Sequence, residues 1–296
     1  MTPRPLVLLV ANDGKPAARE LARAAGGAVE ARGGQARLAE GHDAPLDGRH
    51  ADLVVVFGGD GTVLSALHRL MASCWPETGD PVPLPPVLGV NLGRLGYLTD
   101  VAPDAMPSCL PAALEGRLPV SERMLAGIEA RRGDRVLWRG WAVNEALVTS
   151  SRPGRAIRLE ARVDGETVMS YAGDGLLAAT PTGSTAYALS AGGPVLSGSA
   201  RAMALVPVCP HRLSLRTLVT GPGETAAIRG SAGGRPRPRD PEPPCLLSVD
   251  GQRPVPLAAE DTVLARIAPG AWRLLRRTGT GYGVLRRKLG WDEGGS

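Results

Sequence analysis

Three apolar runs, each ending in turn chemistry, limit what this chain can fold into. They are "PLVLLVA" (residues 5–11), "ADLVVVF" (51–57) and "PVLGVNLG" (86–93). A strand with one wet face alternates apolar and polar residues, whereas a short unbroken apolar run bounded by turn residues marks a strand buried on both faces. Between the runs, residues 16–31 place alanines and leucines at helical spacing. The second run passes straight into "GGDGT" and then into "VLSALHRLMA", which reads as a helix. Buried strands alternating with helices predict an open parallel sheet covered on both sides.

Near residue 120 the rhythm changes. "RAIRLEARVDGETVMSY" alternates apolar and charged residues across an Asp-Gly turn, and "CLLSVDGQRPVPL" does so around Asp250-Gly251; both predict hairpins. The expected fold class is therefore α/β + β: an N-terminal open parallel α/β (Rossmann-like) domain over 1–121, and a C-terminal mainly antiparallel β domain over 122–270. The last segment, 271–296, turns apolar again in "GYGVLRRKLGW" and is expected to pack back on the first domain. The Gly/Pro/Arg-rich stretch 230–244 reads as a mobile surface loop. The 39 glycines and 27 prolines suit a fold with many tight turns, and with Phe57 the single phenylalanine, the cores must be built from Leu, Val, Ala and Ile.

Charge and cysteines exclude several classes. The formal net charge is +5, and among the 34 basic residues only Lys15 and Lys288 are lysines. The codon bias of a GC-rich genome accounts for that ratio, although arginine also suits phosphate recognition. No arginine run is interleaved with aromatics, so no nucleic-acid partner is expected. Cys74, Cys109, Cys209 and Cys245 lie far apart and form no Cys-x-x-Cys pair, which argues for reduced thiols rather than a zinc site. No apolar run approaches the length of a membrane span and the N-terminus lacks a cleavage pattern, so no membrane partner and a cytoplasmic location are expected.

Four stretches bear chemistry. In "VVVFGGDGTVL" a strand meets a helix through Gly58, Gly59, Asp60, Gly61 and Thr62. Glycines admit a phosphate close to the backbone, and the helix start offers free N–H groups to an anion. An acid among phosphates repels the ligand unless it holds a metal ion or takes a proton from an attacking hydroxyl; the plain alternative is a turn with Asp60 capping the helix. "NLGRLGYLTD" (91–100) is a second glycine-rich loop after a strand, either lining the same cleft or simply turning. "VNEALV" places Asn144 beside Glu145, a pair able to read an adenine edge and a hydroxyl, or an exposed turn. "YAGDGLLAATPTGSTAYALSAGGPVL" (171–196) gathers glycines and hydroxyl residues and holds no positive charge. His211 in "CPH" is a possible acid–base group, with a hydrogen-bonded strand-end histidine as the plain alternative.

Together, in this order, these stretches resemble the NAD kinase family (ATP-NAD kinases), with "CPHRLSLRTLV" (209–219) and "VDGQ" (249–252) similar to its later landmarks. "GGDGT" alone is shared with the diacylglycerol and sphingosine kinases; "TPTGSTAYALSAGGP" discriminates. The resemblance implies transfer of the γ-phosphoryl of ATP, or of polyphosphate, to the 2′-hydroxyl of the adenosine ribose of NAD. It makes Asp60 the catalytic aspartate, a general base that accepts the hydroxyl proton, and Gly58, Gly59, Gly61 and Thr62 the phosphate cradle. Asn144 and Glu145 would hold NAD, with Asp174 and the segment Thr182, Thr185, Ala186, Tyr187, Ala188, Leu189 and Ser190 completing that pocket through hydroxyls, amides and the Tyr187 ring. Arg155 would lie near the ribose and its new phosphate, and Gln252 would add a further contact. Mg2+ would arrive with the nucleotide, no lysine being available in the motif, and a homodimer or homotetramer is implied. A lipid kinase and a non-catalytic NAD(P)-binding regulator are the rival readings.

Overall fold

The computed structural model describes residues 4–39, 45–75, 82–93, 96–233, 243–277, 279 and 281–291. Residues 234–242, most of the stretch expected to form a mobile loop, lie outside the described residues. The chain divides into two compact units, Met1–Glu122 with Ala271–Ser296, and Arg123–Gly270.

In the first unit the elements are β1 (Leu6–Ala11), α1 (Pro16–Glu30), β2 (Gln35–Ala39), β3 (Leu53–Gly58), α2 (Asp60–Cys74), β4 (Val87–Asn91) and α3 (Met106–Leu114). The strands pair in parallel in the order β2-β1-β3-β4. β3 is buried at every position, because both its faces are covered. Leu53, Val55 and Phe57 pack with Ala18, Ala22, Ala25 and Val29 of α1, while Val54 and Val56 face the other way and are equally buried. In α1 the buried residues recur at helical spacing, and α2 buries Val63, Ala66, Leu67, Leu70 and Met71 in the same manner. From β1 the chain runs outward to β2 on one side, and β3 lies on the other. The topological switch point therefore falls between β1 and β3, and ligands of open parallel sheets settle at the carboxyl ends there.

The second unit follows the hairpin expectation. Its strands are β5 (Val120–Arg132), which begins in the first unit, β6 (Arg135–Ala142), β7 (Glu145–Ser150), β8 (Ile157–Val163), β9 (Glu166–Gly173) and β10 (Gly175–Ala179). After the short helix α4 (Tyr187–Ser190) come β11 (Met203–Val208), β12 (Leu218–Thr220), β13 (Thr225–Ala232), β14 (Cys245–Val249), β15 (Val255–Leu257) and β16 (Thr262–Leu275). One antiparallel sheet runs β12-β11-β10-β7-β14-β15. In a second, β8 pairs with β9 and β13, β13 with β16, and β5 with β16 and β6. Residues from both sheets, among them Ile128, Val148, Leu159, Leu176, Leu205, Ile228, Leu247 and Val263, share one core. At the two predicted hairpins Asp164 and Asp250 take positive φ (48° and 48°), each followed by a glycine at 89° and 71°, as two-residue hairpin turns require.

β16 carries the chain back into the first unit. Its end, Leu274 and Leu275, pairs in parallel with Val87 and Leu88 of β4. The last helix, α5 (Tyr282–Lys288), belongs to the same unit and buries Val284 and Leu285.

Candidate nucleotide site

In the first unit three loops meet at the carboxyl ends of β1, β3 and β4. Register places Ala11 beside Phe57 and Gly58 beside Asn91, so the loops that follow are neighbours. Across the switch point Asn12 Nδ2 donates to Thr62 Oγ1 at 2.9 Å. Lys15 Nζ, from the start of α1, donates to the carbonyl of Leu92 at 2.8 Å. The "GGDGT" loop thus stands where a sheet of this order receives a ligand, with the N-terminus of α2 behind it.

Asp60 does not cap its own helix; Gly59 holds the N-cap position and Asp60 is the first helical residue. Its carboxylate turns to the loop after β4. Oδ2 accepts the amide of Tyr97 at 2.8 Å, and Oδ1 accepts the amide of Leu98 at 2.9 Å and the hydroxyl of Thr99 at 3.2 Å. Lys288 Nζ lies 3.7 Å from Oδ2. Gly96 leaves room for this arrangement, since a methyl group on it would overlap both Asp60 Oδ1 and Thr99 Oγ1. The loop is braced from below by Arg276, which is fully buried. Its Nη1 donates to the carbonyl of Tyr97 at 2.7 Å and stands 3.5 Å from Asp100, and its guanidinium lies 5.1 Å from the Tyr97 ring centroid. Burial raises the Asp100 carboxyl above its ordinary range, opposed by the charge of Arg276. The second glycine loop therefore belongs to the same site as the first, and holds its acid.

In the second unit the dipeptide Asn144-Glu145 is no exposed turn. The carboxylate of Asp250 grips its backbone: Oδ2 accepts the amide of Val143 at 2.7 Å, and Oδ1 accepts those of Asn144 at 2.8 Å and Glu145 at 2.9 Å. On the other side Thr180 Oγ1 donates to the carbonyl of Val143 at 2.6 Å, and the Thr180 amide to that of Asn144 at 2.8 Å. Gly183 packs so closely on Asn144 that a side chain there would overlap its carbonyl oxygen. Glu145 Oε2 is buried without a hydrogen-bond partner. Burial, and then the negative charge of Asp250, push its carboxyl from an ordinary 4.5 up to about 8. A buried carboxyl oxygen left unpaired costs stability.

β10 itself is apolar and buried on both faces. Leu176 and Ala178 face the main core, whereas Leu177 and Ala179 pack with Ala188, Ala204 and Val206. In the segment that follows, the hydroxyls of Ser184 and Thr185 turn to the chain's own backbone. Ser184 Oγ donates to the carbonyl of Pro181 at 2.7 Å and accepts the amide of Leu196, and Thr185 Oγ1 donates to the carbonyl of Thr182 at 3.2 Å. Thr182 and Thr185 are buried, Ala188 is 1% exposed and Tyr187 44% exposed, with Ala186 and Leu189 between these extremes and Ser190 exposed. The ring of Tyr187, rather than a row of hydroxyls, is what the segment offers outward.

The structure brings Asn144, Glu145, the segment from Thr182 and the Asp250 turn to one end of β10. Gln252, whose amide donates to the carbonyl of Val249 at 2.8 Å, follows that turn. It does not bring Asp174 there. β10 pairs Ala179 with Glu145 and Gly175 with Thr149, so Asp174 stands at the far end, about 17 Å away along five extended residues. The Asp174 carbonyl accepts Thr149 Oγ1, and its carboxylate takes a hydrogen bond from the exposed Cys209 thiol, raising that thiol's pKa. Arg155 lies in the β7–β8 connection at this same far end. Asp250, Thr180, Arg276, Lys15 and Lys288 were not singled out for the site by sequence; Asp250 was legible only as a turn residue.

A glycine loop and helix start at a sheet switch point, with a fixed carboxylate, define a phosphate-handling α/β protein joined to a β unit. The comparisons narrow the class. Residues 40–118 match the model of the ATP-NAD kinase N-terminal domain and residues 143–276 that of the ATP-NAD kinase C-terminal domain. A curated NAD kinase of Pseudomonas putida (strain W619) is 38% identical over 83% of this chain and 78% of its own length. One of Nitrosospira multiformis is 39% identical over 83% and 77%. The fold is that of a yeast NADH kinase solved with NADH (TM-score 0.83, 21% identity, covering 100% of this chain and 90% of that one). An Archaeoglobus fulgidus NAD kinase solved with ATP also shares it (TM-score 0.71, 24% identity, 95% and 98%). The chain belongs to the ATP-NAD kinase family, and the lipid-kinase alternative is set aside.

Proposed function

We propose that this protein is an NAD kinase, transferring the γ-phosphoryl of ATP to the 2′-hydroxyl of the adenosine ribose of NAD. The observation that carries the reading is Asp60: a carboxylate held by two amides and a hydroxyl at the sheet switch point of a chain in this family. A carboxylate has about four lone-pair sites, so one remains for a substrate hydroxyl. Asp60 accepts the ribose proton as the oxygen attacks the γ-phosphorus and the bond to the β-phosphate oxygen breaks. Gly58, Gly59, Gly61, Thr62 and the α2 amides receive phosphate oxygens. Asn144, Glu145, Tyr187 and Gln252 take the dinucleotide, with Glu145 Oε2 as acceptor for a ligand hydroxyl.

Mg2+ enters as part of the donor nucleotide. Among the described residues no three His, Cys, Asp or Glu side chains gather as a metal cage. Mg2+ commonly binds through one or two carboxylates and substrate phosphates. Among the described residues no helix is long and apolar enough to cross a membrane. A cytoplasmic homodimer or homotetramer is part of this proposal, tested by sedimentation.

Asp60→Asn tests the reading. We expect kcat to fall by about a hundredfold or more, the scale of a lost general base, with NAD affinity retained in calorimetry. Near-normal turnover of the variant would remove Asp60 from the chemistry.

A further inference from the structure

The chain carries its positive charge on arginine, and its only two lysines are Lys15 and Lys288. They are 273 residues apart by sequence number, yet one reaches the loop after β4 and the other Asp60, which that same loop holds. Lys15 Nζ bonds the Leu92 carbonyl in the loop after β4 and lies 2.9 Å from where a Gly93 side chain would begin. Lys288 Nζ stands 3.7 Å from Asp60 Oδ2, with 31% of its side chain exposed. Codon bias explains many arginines; it does not explain why the two exceptions share one site. Chemistry does. An ammonium is a compact point charge on a flexible stem, able to leave one oxygen for another, whereas guanidinium is a rigid planar fork suited to fixed pairs such as Arg276 with the Tyr97 carbonyl.

We propose that Lys15 and Lys288 are the phosphate-binding cations of the site, Lys288 exchanging Asp60 for an oxygen of the transferring phosphoryl group. This rests on the kinase reading above. In the free protein Lys288 neutralises Asp60. With nucleotide bound it turns to the phosphate, and Asp60 Oδ2 is released to accept the ribose proton. The O2′–P bond forms, the P–O bond to the β-phosphate breaks, and the proton passes to Asp60. The cation missing from the motif thus comes from the last helix.

The test is ATP binding and steady-state kinetics on the full chain carrying Lys288→Met, Lys288→Arg or Lys15→Met, together with Asp60→Asn/Lys288→Met against Asp60→Asn. Losing one charge-assisted phosphate bond is expected to weaken ATP by about tenfold or more. We expect Lys288→Met to raise the KM for ATP on this scale and lower kcat, with the KM for NAD and Tm unchanged, and Lys288→Arg to restore part of the ATP affinity. Lys15→Met is expected to weaken ATP without slowing kcat as far. The same ATP weakening is expected in the Asp60→Asn background, where a lysine serving only that carboxylate has nothing left to do. Parent-like ATP affinity in the Lys288→Met and double variants overturns the proposal, as does equal loss of ATP and NAD binding with a lowered Tm. Failure of the parent chain to form NADP would sink the kinase reading instead, while ATP titration still decides the lysines.

Discussion

Glu145 holds a raised carboxyl at about 8 and an unpaired Oε2. Because its folded value lies above the ordinary 4.5, the folded state binds more protons between the two, and stability falls as pH rises through that window. Glu145→Gln removes the penalty. We expect the variant's Tm to exceed the parent's by a margin that grows from about pH 4.5 to about pH 8 and then levels, while NAD binding weakens. A pH-independent Tm difference would show that Glu145 is not the group. Gly96 is the converse case, a residue whose lack of a side chain positions another. Gly96→Ala must displace Asp60 or Thr99, and a shift of an ångström at a reacting group costs about a hundredfold in rate. NADP formation slowed by about a hundredfold in a coupled assay, with NAD binding retained, is the expected pattern.

At the scale of elements, turns and loops hold the site while strands hold the turns. Asp250 reads in sequence as half of a hairpin turn, and it is one, at φ 48°. The same geometry aims its carboxylate at three successive amides at the start of β7. Periodicity carries the hairpin but not that partner, which lies 105–107 residues away. Asp250→Ala is expected to destabilise the chain by about 2–4 kcal/mol, the cost of buried donors losing a charged acceptor, and to abolish NAD binding; urea unfolding with NAD titration checks both. β10 is apolar throughout, and only the fold shows that it is buried on both faces, Leu176 and Leu177 packing into separate clusters. The hydroxyl-rich run after it was legible as unusual, but whether its hydroxyls faced a ligand or the backbone depended on packing.

Across the whole molecule, the first unit is discontinuous in sequence. β4 has the tail of β16 as its outer neighbour, and Arg276 and Lys288 both lie beyond Gly270. A chain ending at Gly270 would bare the β4 edge and remove the brace under the Tyr97–Asp100 loop. We expect such a truncation to form no NADP and to lose hydrogen-exchange protection over Val87–Asn91. Full protection there would mean that the returning segment is dispensable to the sheet.

Local pattern determined the first parallel strands with their helices and the two Asp-Gly hairpins. Buried strands, helical faces and Asp-Gly hairpins are written in neighbouring residues, and the glycine loop with its acid is contiguous. Tertiary structure alone decided what surrounds that acid: amides from one loop, a lysine from the final helix, and an arginine buried beneath. It also separated Asp174 from Glu145 along a strand. Spacing of a few residues sets periodicity and turn geometry, whereas contacts across a hundred residues or more follow from how sheets pair and pack, and no local rule encodes them.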